Sequence, residues 1–186
     1  MSVELQRRRF TVDEYYRMLD AGILTEDDRV ELIEGEIIQM AAIGSRHAAC
    51  VNRLTRLLVE RVGGDGVVTV QNPVRLSDLS EPQPDFVVAR PREDFYASAH
   101  PRPEDTLLVV EVAHTTPGYD RGIKLPLYAT AGVPEVWIVD VEGGAIEVYL
   151  EPGRGRFRVE RRAVPGDVLQ PRLLPSVEVA VEQVLA

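Results

Sequence analysis

The chain has almost no lysine. Of its 21 basic residues, Lys124 is the only lysine and the other twenty are arginine. Cysteine is equally scarce: Cys50 stands alone, so an internal disulfide is excluded, and a reducing, cytoplasmic setting is expected. No run of about 18 apolar residues occurs, which excludes a membrane-spanning helix. The N-terminal MSVELQRRRF carries charge without a following apolar stretch, which argues against a secretion signal. Low-complexity tracts and internal repeats are missing too. There is no basic excess, since the net charge is −9, and this counts against a module that binds nucleic acid by phosphate neutralisation alone. It leaves room for a metal-dependent phosphodiesterase, whose site is itself a cluster of carboxylates offset by a cation.

What remains is ordinary globular composition, 45% hydrophobic and 27% charged, over 186 residues. That length suits a single domain spanning residues 1–186. FTVDEYYRMLDAG predicts a short helix, with Thr11 and Glu14 at capping-box spacing and Gly22 at its end. RVELIEGEIIQM predicts a hairpin turning near Glu34 and Gly35. SRHAACVNRLTRLLVERVGG predicts a longer helix, capped by Ser45, with Val51, Leu54, Leu58 and Val62 as its apolar stripe. GVVTVQNPVRL and PDFVVAR read as strands, with the polar SDLSEPQ between them as a surface loop.

TLLVVEVA is an unbroken apolar run of strand length, the pattern of a strand buried on both faces and central in a sheet. A helix follows from about Asp120 to Ala131, then strands at VPEVWIVDV, AIEVYLE and FRVERRAV, and a last short helix with Ser176 as its cap. Pro126 falls inside the predicted crossover helix, where it removes a backbone hydrogen bond, so an irregular first turn is expected. The order predicts an α/β domain with a mixed sheet flanked by helices.

The chemistry-bearing residues lie in that sheet. Asp85 stands at the start of one strand and Glu111 near the end of the next, so adjacent strands can bring both carboxylates to one rim, where they can share a hard cation such as Mg²⁺. Lys124 begins the following helix and can lean over the same rim. Unlike arginine, an ammonium is compact and can exchange a proton with water, so the one retained lysine draws attention. Each residue also has a plain reading. Asp85 can serve as a turn residue, Lys124 can pair with Asp120 along a helix, and His47 shares the stripe of Val51 and Leu54 as a core-edge histidine. Cys50, His47, His100 and His114 lack zinc-ligand spacing, and no glycine-rich phosphate loop is present.

The ordered set PD, then EVA after an apolar strand, DRGIKLPLY and GVPEVWIVD, with ELIEGEI and the His47 helix upstream, resembles the Uma-two family of restriction endonucleases within the PD-(D/E)XK nuclease superfamily. The resemblance covers the chain from about Phe10 to the final helix. It implies a restriction-endonuclease-like fold and a Mg²⁺ site, with Mn²⁺ as a substitute, acting on DNA. Asp85, Glu111 and the backbone carbonyl of Val112 would be metal ligands, Lys124 would act on the attacking water, and Glu31 would be a further catalytic acid. Ala113 stands where the superfamily's simplest pattern has its lysine, and Lys124 on the helix would take that role. Such nucleases often pair, so a homodimer or higher homo-oligomer is expected. Two other readings remain: a catalytically silent binding or assembly domain of the same fold, and a hydrolase of small phosphate esters.

Overall fold

A computed structural model describes residues 7–25, 27–113 and 117–186. His114 and the first six residues therefore lie outside the described residues.

Helix α1 (Val12–Asp20) starts as the capping box requires: the Glu14 amide donates to the Thr11 hydroxyl, and the Thr11 amide donates to the Glu14 carboxylate. It buries Val12 and Tyr15 against Val30 and Leu32 of a hairpin. That hairpin pairs β1 (Val30–Ile33) with β2 (Glu36–Gln39). Glu34 and Gly35 both take positive φ, 49° and 79°, as a tight two-residue turn demands. Gly35 is also sterically required, because a Cβ there would lie 2.5 Å from the Arg9 Cβ.

Helix α2 (Ser45–Val62) is the long helix that the apolar stripe predicts, with Leu54 and Leu58 fully buried. Its N-cap is Gly44 rather than Ser45, which is already helical and makes no capping bond. The helix ends at Gly63, whose φ of 50° breaks the right-handed run.

Six strands form the main sheet, in the order β3-β4-β5-β6-β7-β8. They are β3 (Val67–Val70), β4 (Phe86–Ala89), β5 (Thr106–Ala113), β6 (Glu135–Asp140), β7 (Ala145–Gly153) and β8 (Arg156–Ala163). Only β5 and β6 run parallel; every other pair is antiparallel. All eight residues of β5 are buried, as the continuous apolar run requires. Its alternate residues feed two cores. Leu108 and Val110 join Leu54, Leu58, Phe86 and Trp137 under α2, while Val109 joins Val87, Tyr128, Val136 and Ile138 on the opposite face.

A parallel pair needs a crossover, and helical turns supply it. Pro117–Tyr119 (α3) leads into a π-helical turn at Asp120–Lys124 and then Leu125–Ala131 (α4). The Leu125 amide reaches back to the Asp120 carbonyl, a wide turn that ends just before Pro126. Proline has no amide to continue the α-helical ladder, and the widened turn ahead of it accommodates the break. The expected irregular first turn is thus a π turn, and it buries both Asp120 and Lys124.

Three further expectations need correction. SDLSEPQ is a surface loop only at its start: Ser77 and Asp78 are exposed, but Ser80 and Glu81 are buried. The Glu34 amide donates to the Ser80 hydroxyl, the Glu81 amide donates to the Leu32 carbonyl, and the Tyr16 hydroxyl donates to the Glu81 carboxylate. Polar residues that usually mark exposed turns here satisfy the hairpin's backbone and tie it to the sheet. The strand predicted over GVVTVQNPVRL ends at Val70, with Gln71 at φ 52°. The final helix, α5 (Val181–Leu185), is capped at Ala180, and the Ser176 hydroxyl instead donates to the Asp65 carboxylate. A two-stranded pairing of β9 (Val168–Leu169) with β10 (Val179–Ala180) leads into α5. Among the described residues no helix is long and apolar enough to cross a membrane.

Candidate active site

The hairpin, the start of α2, the rim of β4 and β5 and the π turn enclose a cavity of about 420 Å³. Every residue singled out from the sequence lines it: Glu31, Asp85, Glu111, Val112 and Lys124. The strand register explains why. Phe86 opposes Val110, so Asp85, one residue earlier, comes level with Glu111. The period of two along β5 sends Glu111 to the face of Val109 and Tyr128, away from α2.

Asp85 is held from three sides. One oxygen, Oδ2, accepts the Val112 amide at 2.8 Å, and the other, Oδ1, accepts the Gln71 side-chain amide at 3.2 Å. His47 Nε2 lies 2.9 Å from the same Oδ1. Glu111 Oε1 accepts the Tyr128 hydroxyl at 2.6 Å and lies 3.3 Å from Lys124 Nζ. Lys124 also lies 3.2 Å from Glu31 Oε2, with the Gln83 carbonyl at 3.5 Å. Both oxygens of Glu31 are engaged as well: the Gln83 amide donates to Oε2 at 2.9 Å and the Tyr119 hydroxyl to Oε1 at 2.9 Å. Of the three neighbouring glutamates, Glu31 is the buried one; Glu34 is exposed and Glu36 half-buried.

Asp120 belongs to the site as well, buried beside Lys124 on the π turn. Four carboxyl groups therefore face the cavity against two fixed cations, Lys124 on its floor and the half-buried Arg29, together with His47. The charge imbalance sets the proton equilibria. Burial pushes the Glu111 carboxyl up to about 8, against the pull of the Lys124 ammonium, with the charges of Asp120 and Asp85 adding to the rise. Burial likewise pushes Asp120 up to about 6. Burial alone would lower the lysine, but Glu111, Glu31 and Asp120 outweigh it and hold the ammonium above its ordinary value. His47 is raised chiefly by its hydrogen bond to Asp85. This is a site short of positive charge, and its one lysine stays protonated.

His47 and Asp120 join the site without being singled out for it by their sequence pattern. His47 is a core-edge histidine with a hydrogen bond, as its helical position predicts, yet its partner is Asp85 and it faces the cavity. A polar side chain on the first turn of an apolar stripe is the signal that points to it. Asp120 makes no direct pair with Lys124 of the kind its four-residue spacing predicts, because the lysine's contacts are Glu31 and Glu111.

Asp85 and Glu111 are the side chains here that could hold a hard divalent cation. Among the described residues no group of three or more His, Cys, Asp and Glu side chains is gathered that could hold a metal ion. Magnesium needs fewer, since it is commonly bound through one or two carboxylates and keeps several of its waters. Asp85 and Glu111 supply two, in a cavity with unbalanced negative charge.

A six-stranded mixed sheet flanked by helices, with buried acids at the rim between its antiparallel and parallel strand pairs, defines an α/β protein of nuclease-like architecture. A solved structure described as a "putative nuclease belonging to DUF820" from Anabaena variabilis has the same fold, with a TM-score of 0.73 at 17% identity, over 95% of this chain and 97% of that one. Residues 12–182 match the Uma2 family, described as "Putative restriction endonuclease", and the chain belongs to that family. No curated protein matches the sequence.

Proposed function

We propose that this chain is a metal-dependent endonuclease that hydrolyses DNA phosphodiester bonds in the Asp85–Glu111–Lys124 cavity. The observation that carries the reading is the buried excess of carboxyl groups around the only lysine of the chain. Burying unpaired carboxylates costs several kcal/mol each unless a counter-charge compensates them, and a divalent cation would supply it. Family membership and the similarly folded nuclease support the same reading.

Asp85 and Glu111, with the Val112 carbonyl, would hold the cation, either Mg²⁺ or Mn²⁺. When bound, such an ion polarises the phosphate and makes a bound water more acidic. The Val112 amide, Gln71 and His47 fix the orientation of the Asp85 carboxylate. Glu31, whose two oxygens are occupied by Gln83, Tyr119 and Lys124, acts by positioning the lysine. The Lys124 ammonium, kept charged by its acidic neighbours, orients the attacking water and offsets charge developing on the phosphate. Water oxygen attacks phosphorus and releases its proton to solvent, one P–O ester bond breaks, and the departing alkoxide takes up a proton from solvent. Assembly as a homodimer would let two such sites address two strands.

One observation favours the silent alternative: the net charge of −9 gives the chain no overall basic excess to attract a duplex. The test is direct. Purified protein incubated with plasmid, linear duplex and single-stranded DNA in Mg²⁺ or Mn²⁺ should cleave, and Asp85→Ala and Lys124→Ala should each abolish cleavage. Cleavage that survives both substitutions would remove the assignment, and a panel of chromogenic phosphate esters would expose a small-ester hydrolase.

A further inference from the structure

We infer that the cavity accepts an unpaired nucleotide, base included, so that the substrate strand is single-stranded, frayed or flipped out at the cut. This deepens the nuclease reading and rests on it. The first observation is depth. Asp85, Glu111 and Lys124 are 8%, 3% and 4% exposed, at the floor of a half-open recess. A nucleotide out of the stack can lower its phosphate to such side chains more readily than one held in a stiff duplex.

The second observation is size. A water's share of liquid volume is about 30 Å³, so a cavity of about 420 Å³ is larger than a hydrated cation and one phosphate group require. It falls within the roughly 300–1,000 Å³ typical of pockets that enclose an organic ligand.

The third is the split character of the walls. Ile38, the cross-strand neighbour of Glu31 on the hairpin, lines the cavity, and Met40 and Ile43 of the chain after it line it too. Ile37 packs into the core beneath α1, so the two-residue period turns Ile38 the other way, into the cavity. A phosphate and its cation have no use for an aliphatic wall, whereas the flat face of a base does. The half-buried ring of Tyr119 stands on the acid side of the same space. Gln83 also lines it, and among the described residues its side-chain amide makes no hydrogen bond, which leaves both a donor and an acceptor for a base edge.

The experiment compares oligothymidylate, an abasic strand of the same length and a fully paired duplex, cleaved in Mn²⁺ by the wild type and by an Ile38→Ala/Ile43→Ala double variant. Ile43 is 42% exposed, so its truncation leaves the fold intact. The expected result is faster cleavage of the thymidine strand than of duplex or abasic strand, by about tenfold or more. The double variant should raise KM for that strand about tenfold with kcat little changed, and Gln83→Ala should act in the same direction. In Ca²⁺, a 2-aminopurine in the strand should change fluorescence on binding to wild type and much less with the double variant. Equal cleavage of all three substrates, with KM unmoved by the variants, would overturn the inference while leaving the nuclease reading standing. Cleavage of none of them by the wild type would remove both.

Discussion

Arg121 and Lys124 lie three residues apart on one π turn, and each meets two carboxylates, yet the two sites are built differently. Arg121 is only partly buried. It donates to both oxygens of Glu147, at 2.9 and 2.8 Å, and to Asp140 Oδ2 at 2.8 Å. That is the planar, two-pronged pairing an arginine makes well. The Glu147 hydrogen bonds raise the guanidinium, the Gly143 amide lowers Asp140, and the cluster is satisfied. Lys124 is 4% exposed, with its contacts at 3.2, 3.3 and 3.5 Å and more acids around it than it can neutralise. One site is closed, and its work is to hold β6 and β7 to the turn. The other is left with unbalanced negative charge. The contrast also explains the residue types: arginine serves where a fork fits, and the single lysine stands where a compact ammonium must share its space.

The largest expected effect separates the two cations by activity. Lys124→Ala should lower the DNA cleavage rate by about 10²-fold or more, and Lys124→Arg should fail to restore it, because the fork does not fit between Glu31 and Glu111. Arg121→Ala should leave initial rates of plasmid nicking within a few fold of wild type. Equal losses at the two positions would erase the distinction.

Stability separates them next. Removing the one floor cation leaves buried carboxylates uncompensated, so Lys124→Ala should cost about 3–5 kcal/mol in urea unfolding at pH 8. Arg121→Ala removes a partly exposed cluster and should cost about 1 kcal/mol.

The pH dependence has a definite sign. Glu111 and Asp120 have folded-state values raised above their unfolded ones, so the fold favours their protonated forms. Their stabilising contribution is complete below the unfolded values of about 4. It is lost as pH rises through about 6 for Asp120 and about 8 for Glu111. In the absence of added metal, the Tm should therefore fall between pH 5 and pH 8.5, and Glu111→Gln should flatten that fall. Adding Mg²⁺ should raise the Tm at pH 8.5 and do little at pH 5, where protons occupy the same carboxyls. The smallest effect belongs to the closed site: Glu147→Gln should shift the Tm by a few degrees at every pH in this range, since its partner arginine stays charged throughout.

Much of this contrast is legible in the order of the residues alone. The unbroken apolar TLLVVEVA announces a strand buried on both faces, and an acid inside it is costly enough to single out Glu111. Lys124 stands out by composition, and Pro126 marks the helix beside it as irregular. What the sequence does not show depends on contacts distant along the chain. Nothing local distinguishes Glu31 from Glu34 and Glu36; the Gln83 amide and the Tyr119 hydroxyl make the difference. Ser80 and Glu81 read as exposed turn residues because their role is to satisfy the backbone of a hairpin some 46 to 49 positions earlier. His47 reads as a core residue because helical periodicity places it on the apolar face, and only the packing of α2 over the sheet rim brings its ring to Asp85.

On the proposed function, the Lys124 cavity takes a divalent cation and the Arg121 cluster does not. Calorimetric titration of the metal-free protein at pH 8 with Mg²⁺ and with Mn²⁺ tests it most directly. Binding should be saturable, lost in Asp85→Ala, weakened in Glu111→Gln and retained in Arg121→Ala. Absence of binding to the wild type at millimolar cation, or binding that persists in Asp85→Ala, would contradict it.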